Sequence, residues 1–593
     1  MARLTIEWGD PKDKPATFTR FVLPFAYNLN LSKAKPSSQQ LYYEQGHSAG
    51  GLKYLEWREK YFTIETCKAL FDRATWLILK KEKPEANRSK SSAQVNGEAS
   101  QQFSIKLSDG GMCQMVMSAP QVVLFELPLE PASGRKAKLD REQKKHLLHI
   151  GFLIVETHFQ EPIRCHQPTL DDLLRFNEIF RYHKEPFKGH REKFVARMLG
   201  RNAISQLTYG ELENSESVYH RWSQLLKFPF KYGGELYDLV SDDWDIYADN
   251  RLFVWACAIV NDGGGALQKV FNEDKEANED KSKDKEAKGD TREANENKWE
   301  AHNYGHWIKL LNVDLPDEGG EVKTHNARDF EREWAKERTY RRWEEWGTYY
   351  GFNYHSGALL APPLNEPNAV PLWKHFGQMY FDMILLLLYL RIALFRFSRD
   401  LYEISAEARI NADSKRREKQ WRLSFEALRW DFTLFTNLYQ FPLISNQQQG
   451  VEMYACARKF MDIEELYKEV EKEINTSHEY LAQMEQRKQS EITMSLTVVA
   501  TLGLATSATL AFLALDSDLQ LDDLIILNKL YLPLPFWLTA VIFWFVVFLL
   551  FFFLSRPKAN FSWLKGRGSV VFVWFKSLYR NIRRKTNPKK LGG

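Results

Sequence analysis

Residues Met494 to Leu515 read MSLTVVATLGLATSATLAFLAL, and Phe536 to Leu554 read FWLTAVIFWFVVFLLFFFL; neither stretch holds a charged side chain. A helix rises about 1.5 Å per residue, so the first stretch extends roughly 30 Å, one hydrocarbon thickness. The lengths predict two membrane-crossing helices. The connector between them carries Asp516, Asp518, Asp522 and Asp523 against Lys529 alone. The tail after Ser555 is basic, with Arg556, Lys558, Lys565, Arg567, Arg583, Arg584 and Lys585 among its charges. The positive-inside rule then places both termini in the cytoplasm of a multi-pass protein of the cell inner (plasma) membrane, with the acidic connector outside.

The two stretches differ in kind. The second is bulky and aromatic, as a lipid-facing helix would be. The first carries Thr497, Thr501, Gly503, Thr506, Ser507 and Thr509, with Gly503, Ser507 and Ala511 every four residues, a spacing that lets helices approach closely. Thr497 and Thr501 share one helix face, and with Leu504 and Ala508 they form the candidate pore-lining set. Asp516 and Asp518 form a candidate acidic ring at the pore mouth.

Between Val451 and Leu515 there is no proline, and no glycine before Gly503. Ile463, Tyr467, Val470, Ile474, Leu481 and Met484 follow heptad spacing, with charged residues between them. One uninterrupted stalk helix of about 60 residues, roughly 90 Å, is expected. Leu372–Ala412 and Lys415–Gln440 predict two more long helices, and a turn holding Pro442, Asn446 and Gly450 leads to the stalk. The run YFDMILLLLYL from Tyr380 is bounded by Asp382 and Arg391. Its uncharged core is too short to span, so it reads as the buried part of a helix.

The remainder is water-soluble in composition. The chain has 593 residues, 27% of them charged, a net charge of +4 and a mean hydropathy of −0.45. That balance gives no case for direct nucleic-acid binding. The five cysteines, Cys67, Cys113, Cys165, Cys257 and Cys456, are scattered, which excludes a disulfide framework and fits free thiols. Strand-like runs at Trp76–Leu79, Gln121–Leu127, Leu147–Glu156 and Phe253–Val260 alternate with helical ones such as Leu170–Tyr182. The aromatic, charged stretch Trp334–Tyr354 reads as an amphipathic helix. Asn272–Asn297 and Ser89–Gln101 read as a charged insertion and a flexible loop. The expected architecture is an α+β cytosolic domain followed by long helices and a two-helix transmembrane region. Its parts are a domain over 1–265, an insertion over 266–298, the rest of the domain over 299–370, and antiparallel helices over 371–450. The stalk follows over 451–493, with spans at 494–515 and 536–554 around the loop 516–535, and a tail over 555–593.

No GxxxxGK[ST], GxGxxG or HExxH motif is present, so no enzymatic activity, catalytic residue or metal site is expected. Gly263-Gly-Gly265 reads as a bare loop, and Cys165 with His166 lacks further ligands. Arg175, Asn177, Arg181 and His183 are the candidate ligand-binding side chains, because arginine and asparagine read phosphates and base edges. Either they serve a ligand or they form a solvated helix face.

This order of parts resembles the CorA family of magnesium channels and transporters, over Leu372 to Lys590. The local string is Leu496–Leu504, LTVVATLGL, at the start of the first span. The family's Gly-Met-Asn signature is absent; Ala511-Phe-Leu-Ala-Leu-Asp-Ser-Asp518 stands in its place. The resemblance implies a homopentamer in membrane lipid that conducts a small ion under control of its cytosolic body. The missing signature is similar to the CorA-like branch associated with type III CRISPR systems, which implies gating by a nucleotide second messenger in antiviral defence. Mg2+ transport is the alternative on the same build, and a membrane-anchored enzyme or a scaffold are the alternatives from other classes.

Overall fold

The computed structural model describes residues 5–6, 17–27, 41–45, 58–81, 97–98, 100–107, 110–125, 149–160, 167–182, 225–226, 228–232, 235–237, 245–246, 251–261, 305–315, 328–362, 372–410, 415–515 and 544. Met1–Ser477 and His478–Gly593 form two compact units.

The first unit is α+β, built on a mixed sheet of 16 strands among the described residues. In chain order they are β1 (Thr5–Ile6), β2 (Phe18–Tyr27), β3 (Leu41–Gln45), β4 (Ala74–Lys81), β5 (Gly97–Glu98), β6 (Gln101–Lys106), β7 (Met112–Met117) and β8 (Gln121–Phe125). Then come β9 (His149–Phe159), β10 (Phe230–Tyr232), β11 (Glu235–Tyr237), β12 (Asp245–Ile246), β13 (Phe253–Asn261), β14 (Thr339–Tyr340), β15 (Tyr349–Asn353) and β16 (Ser356–Ala361). The helices are α1 (Ile64–Cys67), α2 (Leu170–Phe180), α3 (Arg328–Arg338), α4 (Leu372–His375), α5 (Phe381–Ile410), α6 (Lys415–Tyr439), α7 (Gln448–Phe460) and α8 (Ile463–Leu515). The main path through the sheet is β11-β10-β3-β4-β8-β9-β2-β13-β16-β15-β14. The pairs β10–β3 and β13–β16 are parallel, and the other neighbours on the path are antiparallel.

The sheet is covered on both faces, which is why β13 is apolar without alternation. Val254, Ala256, Ala258 and Val260 enter one core with α2 and the helical residues 305–312. Trp255, pointing the other way, stacks on Phe376 at 3.9 Å and 8°. Gly357, beside Trp255 in the parallel register, leaves room for that indole; a Cβ there would collide with its six-membered ring. α5 lies on this second face. Met383 to Leu390 are all buried, Tyr389 stacking on Phe125 at 4.4 Å, and Tyr439 of α6 meets Tyr389 at 4.6 Å. A helix that is apolar all round is a buried one, so the run after Asp382 is interior, as its length predicts.

Several expectations need correction. The two-helix transmembrane region is not found: among the described residues, no helix is long and apolar enough to cross a membrane. The stretch expected at 536–554 lies outside the described residues, Trp544 excepted. The stalk is also two helices rather than one. The chain turns at Met461 and Asp462, and Asp462 takes φ +55°, a conformation aspartate tolerates better than most. The break lets Met453, Tyr454, Ala457 and Phe460 be buried on α7 while Ile463, Val470 and Ile474 are buried on α8. Trp334–Tyr354 is α-helical only to Arg338, with a short 3-10 turn at Glu344–Trp346. Thr339 Oγ1 donates to Ala335 O and accepts from Trp307 Nε1 at 2.9 Å, and the antiparallel pair β14–β15 follows. The loop expected over Ser89–Gln101 contains β5, paired to Lys80 and Lys81. The insertion at Asn272–Asn297 lies outside the described residues.

Candidate functional site

The candidate ligand side chains sit on and just after α2. Thr169 opens the helix: its hydroxyl accepts from Asp172 N, and the Asp172 carboxylate accepts from Thr169 N at 2.9 Å. This reciprocal capping box satisfies two backbone donors. Arg175 is half-buried, whereas Asn177 is 1% and Arg181 5% exposed. Arg181 Nε lies 2.6 Å from Glu178 Oε2, and its Nη1 donates to Asn312 O at 3.0 Å. Its carbonyl accepts from Leu252 N at 2.6 Å. Asp171, at the other end of the helix, is 3.0 Å from His306 Nε2. These contacts tie α2 to residues 305–314 and to the start of β13. The structure therefore does not gather the four side chains on an open surface. Asn177 and Arg181 face the interior, and His183 lies outside the described residues.

The candidate pore-lining residues lie on α8, in the second unit. Thr497, Thr501 and Leu504 are exposed. Thr497 Oγ1 donates to Thr493 O at 2.8 Å and Thr501 Oγ1 to Thr497 O at 2.9 Å, so each hydroxyl proton is used one turn back. Ala508 belongs to α8, but its side chain lies outside the described residues, as do Asp516 and Asp518.

Four of the cysteines are described and all four are free. Burial pushes the Cys67, Cys113 and Cys456 thiols up to about 11 and Cys257 well above the usual range. A protonated thiol is a poor nucleophile and metal ligand, and burial favours that form in all four. Among the described residues no group of three His, Cys, Asp or Glu could hold a metal ion. The Gly263–Gly265 run and the Cys165–His166 pair lie outside the described residues.

Sequence reasoning missed a third constellation, at the entrance to α5. Phe376–Tyr380, between α4 and α5, forms a π turn, one residue wider per turn than an α-helix. Side chains from the sheet donate to carbonyls of this turn. Trp255 Nε1 donates to Phe376 O at 3.0 Å, and Arg20 Nη1 donates to Gly377 O at 2.6 Å. Arg20 also pairs with Glu156 at 2.7 Å and lies over the Phe381 ring at 4.4 Å. One turn on, Asp382 takes a two-point contact from Arg58, 2.7 Å to Nε and 2.9 Å to Nη2, with both side chains 3% exposed or less. The available signal was Asp382 itself, an acid inside an apolar run, because a buried charge requires a partner. A second π turn, Lys68–Asp72, follows α1, and there Trp76 Nε1 donates to Leu70 O at 3.1 Å.

No protein-family model, curated protein or solved structure matches this chain.

Proposed function

We propose that the chain is an oligomeric, membrane-acting ion channel gated by its α+β body, with a nucleotide second messenger as the gating ligand and antiviral defence as the setting. The observation that carries the reading is on α8. Ile492, Leu496, Val499 and Leu504 are 66%, 69%, 69% and 70% exposed in a single copy. Fully burying one such side chain is worth about 1.5–3 kcal/mol, so a lone helix of this kind is driven towards other copies or lipid. Copies of α8 around one axis would multiply the Thr497 and Thr501 hydroxyls into rings, the arrangement by which side chains select ions. The resemblance of Leu496–Leu504 to the CorA family supports an ion pathway. The absent Gly-Met-Asn signature favours a gated effector over a Mg2+ transporter.

A scaffold that oligomerises without conducting is the second reading. It is favoured by the use of both threonine protons on the helix's own backbone. Single-channel recording of the purified full chain in a planar bilayer separates the readings, with cyclic, linear and adenylated nucleotides applied to one side. Nucleotide-dependent current that Thr501→Asp alters is the expected result. Divalent-selective current without ligand would replace the effector with a transporter. Silence in every condition, with assembly intact, would leave the scaffold.

A further inference from the structure

The π turn at Phe376–Tyr380 stands where a long buried helix meets the sheet, and a π turn is a helix holding one residue more than the α geometry allows. Resolving it moves the chain on one side by about 1.5 Å and turns it by about 100°. Side chains from three separate elements hold the present register: Trp255 of β13, Arg20 of β2 and Arg58. The segment that supplies Arg58 reaches further. Tyr61 O accepts from Asn446 N at 3.0 Å and from Ser445 Oγ at 2.8 Å, and Thr63 N donates to Ile444 O at 3.0 Å. The Tyr61 ring packs edge-on against Tyr380, the last residue of the π turn, at 6.1 Å. Its hydroxyl lies against Gly450 in the first turn of α7, 2.5 Å from where a Cβ would stand. One side chain thus touches both the π turn and the start of α7.

We propose that the π turn is a two-register joint in the long helix, latched by Arg58 and Asp382, and that the strap of residues 58–67 passes its state to α7. The physical basis is that packed interfaces have discrete arrangements rather than continuous ones, and Tyr61 cannot keep both contacts if either end shifts. The carbonyls of Phe376 and Gly377 are the acceptors released or reclaimed as the register changes. The joint belongs to the first unit alone and operates whether or not the assembled chain conducts.

Coupling between two sites is reciprocal, which gives the test. Amide hydrogen exchange of the full chain is followed in Asp382→Asn, which breaks the latch, and in Gly450→Ala, which pushes on Tyr61 from the far end. Asp382→Asn should speed exchange by about tenfold or more at residues 376–382 and also at 445–452, since removing one partner of a buried pair is strongly destabilising. Gly450→Ala should speed exchange at 376–382, although that stretch lies remote in sequence. The β6–β7 hairpin should be unchanged in both. Should Asp382→Asn fail to fold, Gly450→Ala decides by itself. Acceleration confined to each variant's own end, or spread evenly over the sheet, overturns the proposal.

Discussion

Replacing Asp431 with asparagine should stabilise the body at neutral pH and do little near pH 4. Asp431 lies on α6 where that helix packs on α5, next to Phe432, whose ring meets Phe397 at 5.3 Å. Across the seam Arg396 Nε is 3.3 Å from Asp400 Oδ2, both side chains largely buried. The charge of Arg396 also acts on the Asp431 carboxyl. Arg399 and Glu403 pair with each other at the exposed edge, and α8 meets the seam through Tyr467, stacked on Phe432 at 5.7 Å. Lys468 of α8 is occupied with Glu464. Burial pushes the Asp431 carboxyl from 3.8 up to about 6, the Asp400 charge adds to the rise, and Arg396 opposes it.

The sign follows from proton counting. The folded state holds this proton more tightly than the unfolded state, so stability falls as pH rises from 3.8 to about 6. Above that window the whole penalty is present, about 3 kcal/mol for a rise of this size. An asparagine at this position carries no charge to desolvate. Urea unfolding of the Asp431→Asn chain should therefore show a gain of about 3 kcal/mol at pH 7.5 that shrinks below about 1 kcal/mol near pH 4. An equal gain at both pH values, or a loss at pH 7.5, would refute the argument.

Gly357→Ala would drive a Cβ into the Trp255 ring. Overpacking of this kind costs about 1–3 kcal/mol, so a lowered melting temperature and a changed near-ultraviolet tryptophan signal are expected. Arg181→Met leaves Glu178 buried without its guanidinium and should cost about 3–5 kcal/mol in denaturant unfolding, most of it recovered when Glu178→Leu is added. If the double variant is no better than the single, the charge pair is not the source of the loss.

Much of the first unit was legible because burial on two sheet faces leaves long apolar runs. Phe253–Val260 and Leu147–Glu156 read as strands, and Leu372–Ala412 and Lys415–Gln440 as long helices, from local pattern alone. The candidate site was less legible. Arg181 and Asn177 carry the chemistry of ligand recognition, yet the fold turns both inward, and a sequence does not show which face of a short helix meets a neighbour. The stalk misled for a related reason. Nothing local forbids helix through Met461–Asp462, yet the chain breaks there, with buried residues on both α7 and α8.

What the sequence by itself determined is composition and period: an α+β body, buried long helices, free cysteines, and an apolar α8 face set by side chains three and four residues apart. What only the tertiary structure decided is partnership. That Asp382 meets Arg58 and that Trp255 and Arg20 hold a π turn both join residues remote in the chain. Hydrophobic periodicity is written locally, whereas the pairing of a buried charge depends on which distant element the packed core brings to its side.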